Sequence, residues 1–375
     1  MRINGRETLD SLASLFKQRI LKSGPIPFRD FMEWCLYYPK LGYYNSAKAR
    51  IGKSGDYYTS PYVHSIFGTL IAKQLLEMWE HMGRGPFTIV EYGAGAGLLC
   101  QDILRYLQQH EPFYNQLTYA IIEKSAAMRN RQKSIVGEKG IWVDDIAELA
   151  PVRGCVLSNE LLDNFAVHLV VMQDELMEVM VDFDGQNFSE KLVPAPASLK
   201  NYFADQSIQL SKGYRTEVNL QALDWMKSIG NAVDKGFVLT IDYGFPAQEL
   251  YNSKRNSGTL MCYHQHTINE NPYQHIGDQD ITVHVNFSAL KRQGEKHGLQ
   301  LTGFTSQAHF LHGLGIVEEI RKMEVEGKAD PANTRKNAFI VQSLLMNLGT
   351  KIRVLIQQKG INKPQLSGLR FPIDI

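Results

Sequence analysis

Three glycines at alternate positions give the first sign of chemistry in this sequence. The apolar run Phe87–Glu91 predicts a buried strand, and Gly93, Gly95 and Gly97 follow it. Glycine permits a tight turn and lets a ligand lie against the backbone, because it has no Cβ. A dinucleotide loop has the spacing G-x-G-x-x-G, but its third glycine position holds Leu98 here. The pattern therefore predicts a ligand-binding loop and argues against a nicotinamide-dependent oxidoreductase.

Acidic residues stand at the ends of the next two predicted strands. Glu123 ends the apolar run Leu117–Glu123, and a carboxylate there can accept hydrogen bonds from both hydroxyls of a ribose. Asp144 and Asp145 follow the third strand, Gly140–Val143. We expect them to meet the amino group of an adenine.

The spacing G-x-G-x-G resembles the first motif of class I methyltransferases. In that motif the loop packs against the methionine end and the ribose of S-adenosyl-L-methionine. The resemblance implies this cofactor, and it implies that the loop residues Glu91, Gly93, Gly95 and Gly97 bind it. A lone glycine-rich turn is a weak signal, whereas a strand, three glycines, a helix, a second strand and a terminal acid rarely occur together by chance.

Polar residues also follow the fourth predicted strand, Cys155–Asn159. Asn159, Glu160 and Asp163 stand at its end, and open α/β sheets bind ligands at the carboxyl ends of their strands. We therefore expect these side chains near the methyl group, with Asn159 against the cofactor. The alternative is that Asn159 caps the following helix while both acids are solvated.

Motifs spread over most of the chain make the resemblance more specific. They are Gly42–Tyr44, Gly55–Pro61, Glu91–Gly97, Asn159–Asp163, Ile241–Gly244, Tyr263–His264, Gly277–Phe287 and Ser306–Gln307. As a set they resemble the MidA family of class I methyltransferases, which includes a mitochondrial arginine methyltransferase of complex I assembly. Ala166 and Asn286 depart from the family, which usually has proline and aspartate there. The resemblance implies a protein acceptor, and a respiratory-complex subunit is one option.

An arginine acceptor sets a chemical requirement that carboxylates can meet. The pKa of a guanidinium lies above about 12, so removing its proton at pH 7 before attack would cost at least about 7 kcal/mol. A carboxylate pair can instead hold the guanidinium and aim one nitrogen at the methyl group. Glu160 and Asp163 are the catalytic candidates, with His264 or His284 as acceptor of the released proton. A methyltransferase acting on a lysine or a small molecule, and a cofactor-binding assembly chaperone, stay open as alternatives.

Histidines and acids in one aperiodic stretch also suggest a metal site. They are His264, His266, Asp278, Asp280 and His284. Their spacing matches no recognised zinc-enzyme motif, so no metal is predicted. Hydrogen bonds that hold the stretch to its own backbone are the alternative explanation.

Strands that alternate with helices after residue 67 must position these side chains. The pattern predicts an α/β protein, with a Rossmann-like methyltransferase domain built on a doubly wound, mostly parallel sheet over 67–375. An N-terminal segment over 1–66 precedes it and contains two predicted helices. Insertions are predicted over about 165–215, as an antiparallel hairpin or small sheet, and over about 245–286.

Composition and charge narrow the classes of partner. The chain has 375 residues, of which 44% are hydrophobic and 21% charged, as in ordinary globular proteins. Its net charge is +1 and it has no long Lys/Arg block, so no nucleic-acid partner is predicted. The first residues lack the apolar stretch of a signal peptide, and no apolar run reaches about 18 residues. We therefore expect a cytoplasmic protein without membrane insertion. The four cysteines are far apart and predict reduced, mostly buried thiols, while the oligomeric state is left open.

Overall fold

The structure, a computed structural model, describes residues 11–46, 59–326 and 331–375. These residues form two compact units. The larger unit contains the described residues of 59–163, 222–250 and 284–375, and the smaller unit contains those up to 46 together with 164–221 and 251–283. Residues 11–46 therefore fold with most of the two inserted segments, whereas residues 59–66 of the predicted N-terminal segment belong to the larger unit.

The α-helices of the described residues are given in chain order. They are α1 (Leu12–Ser23), α2 (Phe28–Tyr37), α3 (Ser60–Val63), α4 (Ile66–His81), α5 (Leu98–Leu107), α6 (Glu111–Tyr114), α7 (Ala126–Val136), α8 (Ala197–Ala204), α9 (Leu220–Ala232), α10 (Ala247–Leu250), α11 (Phe287–Lys296), α12 (Gln307–Gly313), α13 (Ile316–Glu326), α14 (Pro331–Ile340) and α15 (Leu348–Lys351). A π-helical segment, Val341–Asn347, joins α14 to α15.

The strands of the described residues follow the same order. They are β1 (Ile26–Pro27), β2 (Phe87–Tyr92), β3 (Leu117–Ile122), β4 (Gly140–Val143), β5 (Val152–Asn159), β6 (His168–Met172), β7 (Leu176–Phe183), β8 (Phe188–Pro194), β9 (Arg215–Val218), β10 (Val233–Phe245), β11 (Met261–His264), β12 (Thr267–Asn269), β13 (Asp280–Thr282), β14 (Val285–Asn286), β15 (Gln300–Ser306) and β16 (Ile352–Lys359).

An eight-stranded sheet forms the centre of the larger unit. Its order is β15-β16-β10-β5-β2-β3-β4, and β14 pairs with the end of β10. The pairs from β10 through β5, β2 and β3 to β4 are parallel, whereas β16 is antiparallel to both of its neighbours. The inner strands are almost continuously apolar because helices cover both faces. This arrangement confirms the predicted Rossmann-like, mostly parallel sheet.

The strand order places several loops at one edge of this sheet. Since β2 is flanked by β3 on one side and β5 on the other, the chain reverses its direction of winding between β2 and β5. The glycine loop follows β2, and Asn159 ends β5 opposite Ile241 of β10. Ser306 ends β15 opposite Arg353, at the same edge. The carboxyl edge of the sheet is thus the place where the candidate residues meet.

The smaller unit is built on antiparallel sheets. One sheet has the order β1-β7-β6-β9 with β8 paired to β7, and the other has the order β12-β11-β13. Helices α1 and α2 supply Phe16 and Phe31, whose rings lie 4.7 Å apart, to an apolar core that also contains Val179 and Val181. The helices predicted in the N-terminal segment and the predicted antiparallel insertion are confirmed.

The two residues that depart from the family pattern, Ala166 and Asn286, each have a clear structural role. Ala166 is buried in the core of the smaller unit, with 1% of its surface exposed. Asn286 is the N-cap of α11, where its Oδ1 accepts a hydrogen bond from Ala289 N at 3.0 Å. Because asparagine and aspartate are equally good N-caps, the helix start is preserved.

All four cysteines are buried and free, as predicted. Within the described parts of the chain, no helix has the length and apolar character needed to span a bilayer.

Candidate active site

The glycine loop after β2 has a backbone that other residues rarely adopt. Gly93, Gly95 and Gly97 have φ values of 65°, 52° and 83°, in the left-handed region that favours glycine. A Cβ placed on Gly93 would lie 2.6 Å from Leu161 Cδ1, so the loop packs directly against the loop that follows β5. A Cβ on Gly95 would meet no atom within 4 Å in the part of the chain that the structure describes. At Gly95 a ligand can therefore lie against the backbone.

The side chain of Glu91 lies beneath this loop. Only 3% of Glu91 is exposed, and its Oε2 accepts a hydrogen bond from Tyr119 Oη at 2.7 Å. Burial raises the pKa of Glu91 to about 7, the Tyr119 bond opposes the shift, and the charge of Glu123 adds to it. This carboxyl group joins β2 to β3, and its predicted contact with the cofactor stays a prediction.

The carboxylate of Glu123, just after β3, is held by two hydrogen bonds. Oε1 accepts from Ser125 N at 2.9 Å, and Oε2 accepts from Gln132 Nε2 at 3.0 Å. Burial raises the pKa of Glu123, while these two bonds and the charge of Arg129 oppose the shift. The group is partly exposed and has a fixed orientation at the edge of the sheet.

Asp144 and Asp145 are exposed at the end of β4. Arg129 Nη2 donates to Asp144 Oδ1 at 2.5 Å. Asp145 is the N-cap of a 3-10 turn, Ile146–Leu149, and its Oδ1 accepts from Ala147 N at 2.8 Å. Their predicted contact with an adenine stays a prediction, and one oxygen of Asp145 already has a structural partner.

Glu160 directly follows β5 and has a φ of 50°, which is uncommon for a residue with a side chain. Its N–H donates to Ile241 O at 2.8 Å. Its Oε1 accepts from Ser60 N at 2.8 Å and from Asn159 Nδ2 at 3.1 Å, and Oε2 takes part in neither bond. Burial raises the pKa of Glu160 to about 7, and the charge of Asp242 adds to the shift. The surrounding bonds thus fix a carboxyl group beside the glycine loop.

Asp242, at the end of β10, holds the loop that contains Glu160. Its Oδ2 accepts from Leu161 N at 3.0 Å and from Leu162 N at 2.7 Å, and the residue is fully buried. Burial raises its pKa to about 7. Asp242, and not Asn159, therefore binds the amides that begin this turn, which removes the alternative role of Asn159 as a helix cap. The sequence offered a signal only through the Ile241–Gly244 motif.

A chain of hydrogen bonds leads from Glu160 into the helices between β15 and β16. Ser60, whose N–H binds Glu160, donates its hydroxyl to Gln307 Oε1 at 3.1 Å. Gln307 Nε2 donates to Leu344 O at 3.3 Å, inside the π-helical segment. Such segments are frequent at functional sites. Ser60 and Gln307 were not predicted as site residues, although both lie in family motifs; the part of the Gly55–Pro61 motif before residue 59 lies outside the described residues.

The remaining catalytic candidates lie in different surroundings. Asp163 is 5% exposed and belongs to the same loop as Glu160. His284 lies in the larger unit, partly exposed, with its ring edge-on to Phe245 at 5.2 Å. His264 lies in the smaller unit, where its ring stacks on His275 at 4.1 Å. Glu160 and Asp163 stand three positions apart on one loop of the larger unit, whereas His264 belongs to the smaller unit. The catalytic roles predicted for these residues stay predictions.

The stretch that suggested a metal site is held by hydrogen bonds. Over residues 11–46, 59–326 and 331–375, no group of three or more His, Cys, Asp or Glu side chains is arranged to hold a metal ion. Asp280 Oδ1 accepts from Tyr44 Oη at 2.9 Å and from Asn164 Nδ2 at 3.1 Å. His264 Nδ1 lies 2.9 Å from the carbonyl oxygen of Asp278.

Comparison with known proteins identifies the family to which this site belongs. A family model described as "Putative S-adenosyl-L-methionine-dependent methyltransferase" matches residues 70–305. The chain belongs to this methyltransferase family. A crystal structure from Burkholderia thailandensis, bound to S-adenosyl-homocysteine, has a TM-score of 0.85 and 30% identity, covering 96% of this chain and 94% of that one. The predicted family and the predicted cofactor, S-adenosyl-L-methionine, are confirmed.

Several relatives are arginine methyltransferases by name. The mitochondrial protein arginine methyltransferase NDUFAF7 homolog of Drosophila melanogaster is 24% identical, over 97% of this chain and 88% of its own length. The human mitochondrial protein arginine methyltransferase NDUFAF7 is 27% identical, over 88% of this chain and 78% of its own length. These mitochondrial relatives show that the predicted cytoplasmic location is wrong. An apolar stretch at the start of a sequence was the wrong criterion for this location, since mitochondrial transit peptides are amphipathic and rich in arginine.

The described residues fit this methyltransferase cofactor. Among the atoms of these residues, Gly95 has no neighbour on its Cβ side and Asn159 Oδ1 is buried without a hydrogen-bond partner, while Glu123 offers a fixed carboxylate to a ribose. When bound, the cofactor supplies an electrophilic methyl group on a sulfonium. We propose that Gly93, Gly95 and Gly97 with Glu123 and Asn159 hold it, and that Glu91, Asp144 and Asp145 complete the site.

We predict that Glu123→Gln weakens cofactor binding by about 1–3 kcal/mol, because two ribose hydroxyls would lose a charged acceptor. The amide oxygen can still accept from Ser125 N, so the start of α7 should survive, while its NH2 replaces the oxygen that accepts from Gln132 Nε2 and so also removes that bond. Calorimetric titration with S-adenosyl-homocysteine measures the loss. Glu217→Gln is the matched control, since Glu217 is a buried acid that accepts from Thr259 N at 2.8 Å in the smaller unit. Equal affinities for the Glu123→Gln variant and the unaltered protein would remove Glu123 from the site.

Proposed function

We propose that this protein transfers the methyl group of S-adenosyl-L-methionine to an arginine side chain of a protein. The observation that carries the proposal is the fixed carboxyl group of Glu160, which lies at the end of β5 beside the glycine loop. The names of the relatives support arginine as the acceptor residue. The family resemblance makes a respiratory-complex subunit the first acceptor to test.

Glu160 has the chemistry needed to hold a guanidinium. Its Oε1 is oriented by Ser60 N and Asn159 Nδ2, and Oε2 lies outside those two bonds. A carboxylate that pairs with one side of the guanidinium fork draws positive charge toward it, which leaves another nitrogen free to attack the methyl group. Asp163, three residues later on the same loop, is the second acid of the proposed clamp.

The reaction releases one proton, because substrate and product guanidinium carry the same charge while the sulfonium becomes a neutral thioether. The nitrogen–carbon bond forms as the carbon–sulfur bond breaks, and the attacking nitrogen loses one hydrogen. His284 is partly exposed and lies in the same unit as Glu160, so it is our preferred acceptor of that proton. His264 belongs to the smaller unit, and its predicted role stays a prediction.

We predict that turnover rises with pH through about 7, the value to which burial raises the pKa of Glu160. Below that pH the group is protonated and neutral, so it cannot pair with a guanidinium; above it the charged form dominates. Initial rates at saturating cofactor across this range measure the profile. The His284→Asn variant should show the same rise of turnover with pH through about 7, even if its absolute rates are lower. A flat profile in the unaltered protein would contradict the role given to the Glu160 charge.

The acceptor itself can be found by incubating the protein with labelled cofactor and a lysate from cells that lack it. Mass spectrometry of labelled proteins should then locate the methyl group on arginine. Label on lysine or on small molecules would favour a methyltransferase that acts on those acceptors and would reject the arginine assignment. If no label is transferred while a variant without cofactor binding still restores assembly in cells, the chaperone alternative would be favoured.

A further inference from the structure

Gln132 lies on α7 and is fully buried, with 0% of its surface exposed. Its Nε2 donates to Gly95 O at 2.9 Å and to Glu123 Oε2 at 3.0 Å. Its Oε1 accepts from Trp142 Nε1 at 2.9 Å. One amide group therefore connects the glycine loop, the acid after β3 and the strand β4.

These three bonds define which side chain can occupy the position. Both N–H groups of the amide are used as donors, and the carbonyl oxygen is used as an acceptor. Glutamate has no N–H to donate, and a buried aliphatic side chain has neither group. A fully satisfied buried network of this kind fixes the positions of its members, since breaking one bond leaves another polar group unpaired.

The same face of α7 adds further contacts around this amide. Arg129 Nε donates to Glu123 O at 2.6 Å, and Arg129 Nη2 donates to Val143 O at 3.2 Å. A Cβ on Gly97 would lie 3.4 Å from Val136 Cγ2. Residues 129, 132 and 136 share one helix face because they are three and four positions apart. This face thus connects the ends of β3 and β4 to the glycine loop.

We propose that Gln132 is a positioning residue of the cofactor site, which sets the separation between Gly95 and the Glu123 carboxylate so that one cofactor molecule can contact both. The inference rests on the proposed assignment of Gly95 and Glu123 to the cofactor, and it does not depend on the acceptor. Gln132 acts through these two groups and need not touch the cofactor itself.

Two substitutions separate loss of the bonds from gain of a charge. Gln132→Met keeps a similar volume but removes the donors, and we expect the Kd for S-adenosyl-homocysteine to rise about tenfold. Gln132→Glu keeps the shape but places a second carboxylate beside Glu123, 3.0 Å from Gln132 in the unaltered protein. We expect its Kd to rise about a hundredfold, because like charges at this distance repel. Turnover at saturating cofactor should fall much less than the affinity.

Gln74 provides matched controls in the same unit. It is also fully buried, its Nε2 donates to Glu77 Oε2 at 2.8 Å, and its Oε1 accepts from Gly368 N at 3.1 Å. Gln74→Met and Gln74→Glu should lower the melting temperature as much as the Gln132 variants do, yet leave the Kd unchanged. If Gln132 had only a structural role, its variants would behave like the Gln74 variants, with a lower melting temperature and an unchanged Kd.

The experiment combines calorimetry with thermal unfolding, with and without S-adenosyl-homocysteine. If a Gln132 variant fails to fold, Gln132→Asn keeps the amide on a shorter side chain and should still raise the Kd about tenfold. Folded Gln132 variants whose Kd stays within about twofold of the unaltered value would overturn the inference. Failure of the unaltered protein to bind S-adenosyl-homocysteine would instead reject the cofactor assignment on which it rests.

Discussion

Glu160→Gln is expected to lower turnover by about two to three orders of magnitude, as when about 3–4 kcal/mol of transition-state electrostatics is lost. The amide keeps the size of the side chain, and its oxygen can still accept from Ser60 N, which binds Oε1 at 2.8 Å. The second oxygen, Oε2, becomes an NH2 donor, so both the charge and the acceptor that pair with the guanidinium disappear. Affinity for the cofactor should therefore change little. Single-turnover rates with the acceptor found in lysate, at saturating cofactor, measure the effect.

Glu77→Gln is the matched control for this substitution. Glu77 lies on α4 in the same unit, is partly exposed, and its Oε2 accepts from Ser367 N at 2.9 Å, much as Glu160 accepts from Ser60. Its turnover should be unchanged. Asp163→Asn should behave like Glu160→Gln if the two acids form one clamp, and the double variant should be little slower than the slower single one. Methyl transfer by Glu160→Gln at a near-normal rate would reject the clamp mechanism.

Gly95→Val is expected to abolish binding of the cofactor. A Cβ at Gly95 meets no atom of residues 11–46, 59–326 and 331–375 within 4 Å, so the two added methyl groups would extend into the space assigned to the cofactor. The substitution also places a branched side chain at a φ of 52°, which costs about 1–2 kcal/mol of stability. That cost is small enough for the fold to survive in a protein of ordinary stability.

Gly213→Val separates the backbone strain from the obstruction. Gly213 precedes β9 with a φ of 85°, and a Cβ there meets no atom of the described residues within 4 Å. It belongs to the smaller unit, whereas the glycine loop belongs to the larger one. Both variants should have a similarly lowered melting temperature in thermal unfolding. Only Gly95→Val should fail to bind S-adenosyl-homocysteine in calorimetric titration. Binding by folded Gly95→Val would remove the glycine loop from the site.

Local rules explain what the sequence predicted well. The strands β2, β3, β4 and β5 are short apolar runs separated by helices, and their alternation is enough to predict a parallel sheet. Gly93, Gly95 and Gly97 were recognised because a left-handed turn strongly favours glycine. Glu123 and Glu160 lie just after β3 and β5 as expected, and their roles rest on the rule that ligands bind at the carboxyl ends of strands.

Contacts between distant parts of the chain explain what was not predicted. Asp242 binds amides 80 and 81 positions earlier in the sequence, and Ser60 binds Gln307 across 247 positions. Gln132 stands in the polar run from Arg129 to Lys133, which resembles a solvated helix face. Its burial depends on Trp142 and the glycine loop packing over it. The periodicity of the sequence cannot reveal that other elements bury Gln132, because a polar helix face can still be covered by the rest of the protein.

The position of β16 has a consequence for how this polypeptide is made. Although β16 follows the other strands in sequence, it lies between β10 and β15 in the sheet. Until residues 352–359 have been synthesised, β10 and β15 each expose a row of unpaired backbone groups on that side. Pairings between distant segments form slowly, and open strand edges promote aggregation. A nascent chain that contains β10 and β15 but still lacks β16 therefore has an incomplete central sheet, and chaperone binding at that stage would protect it from association with its neighbours.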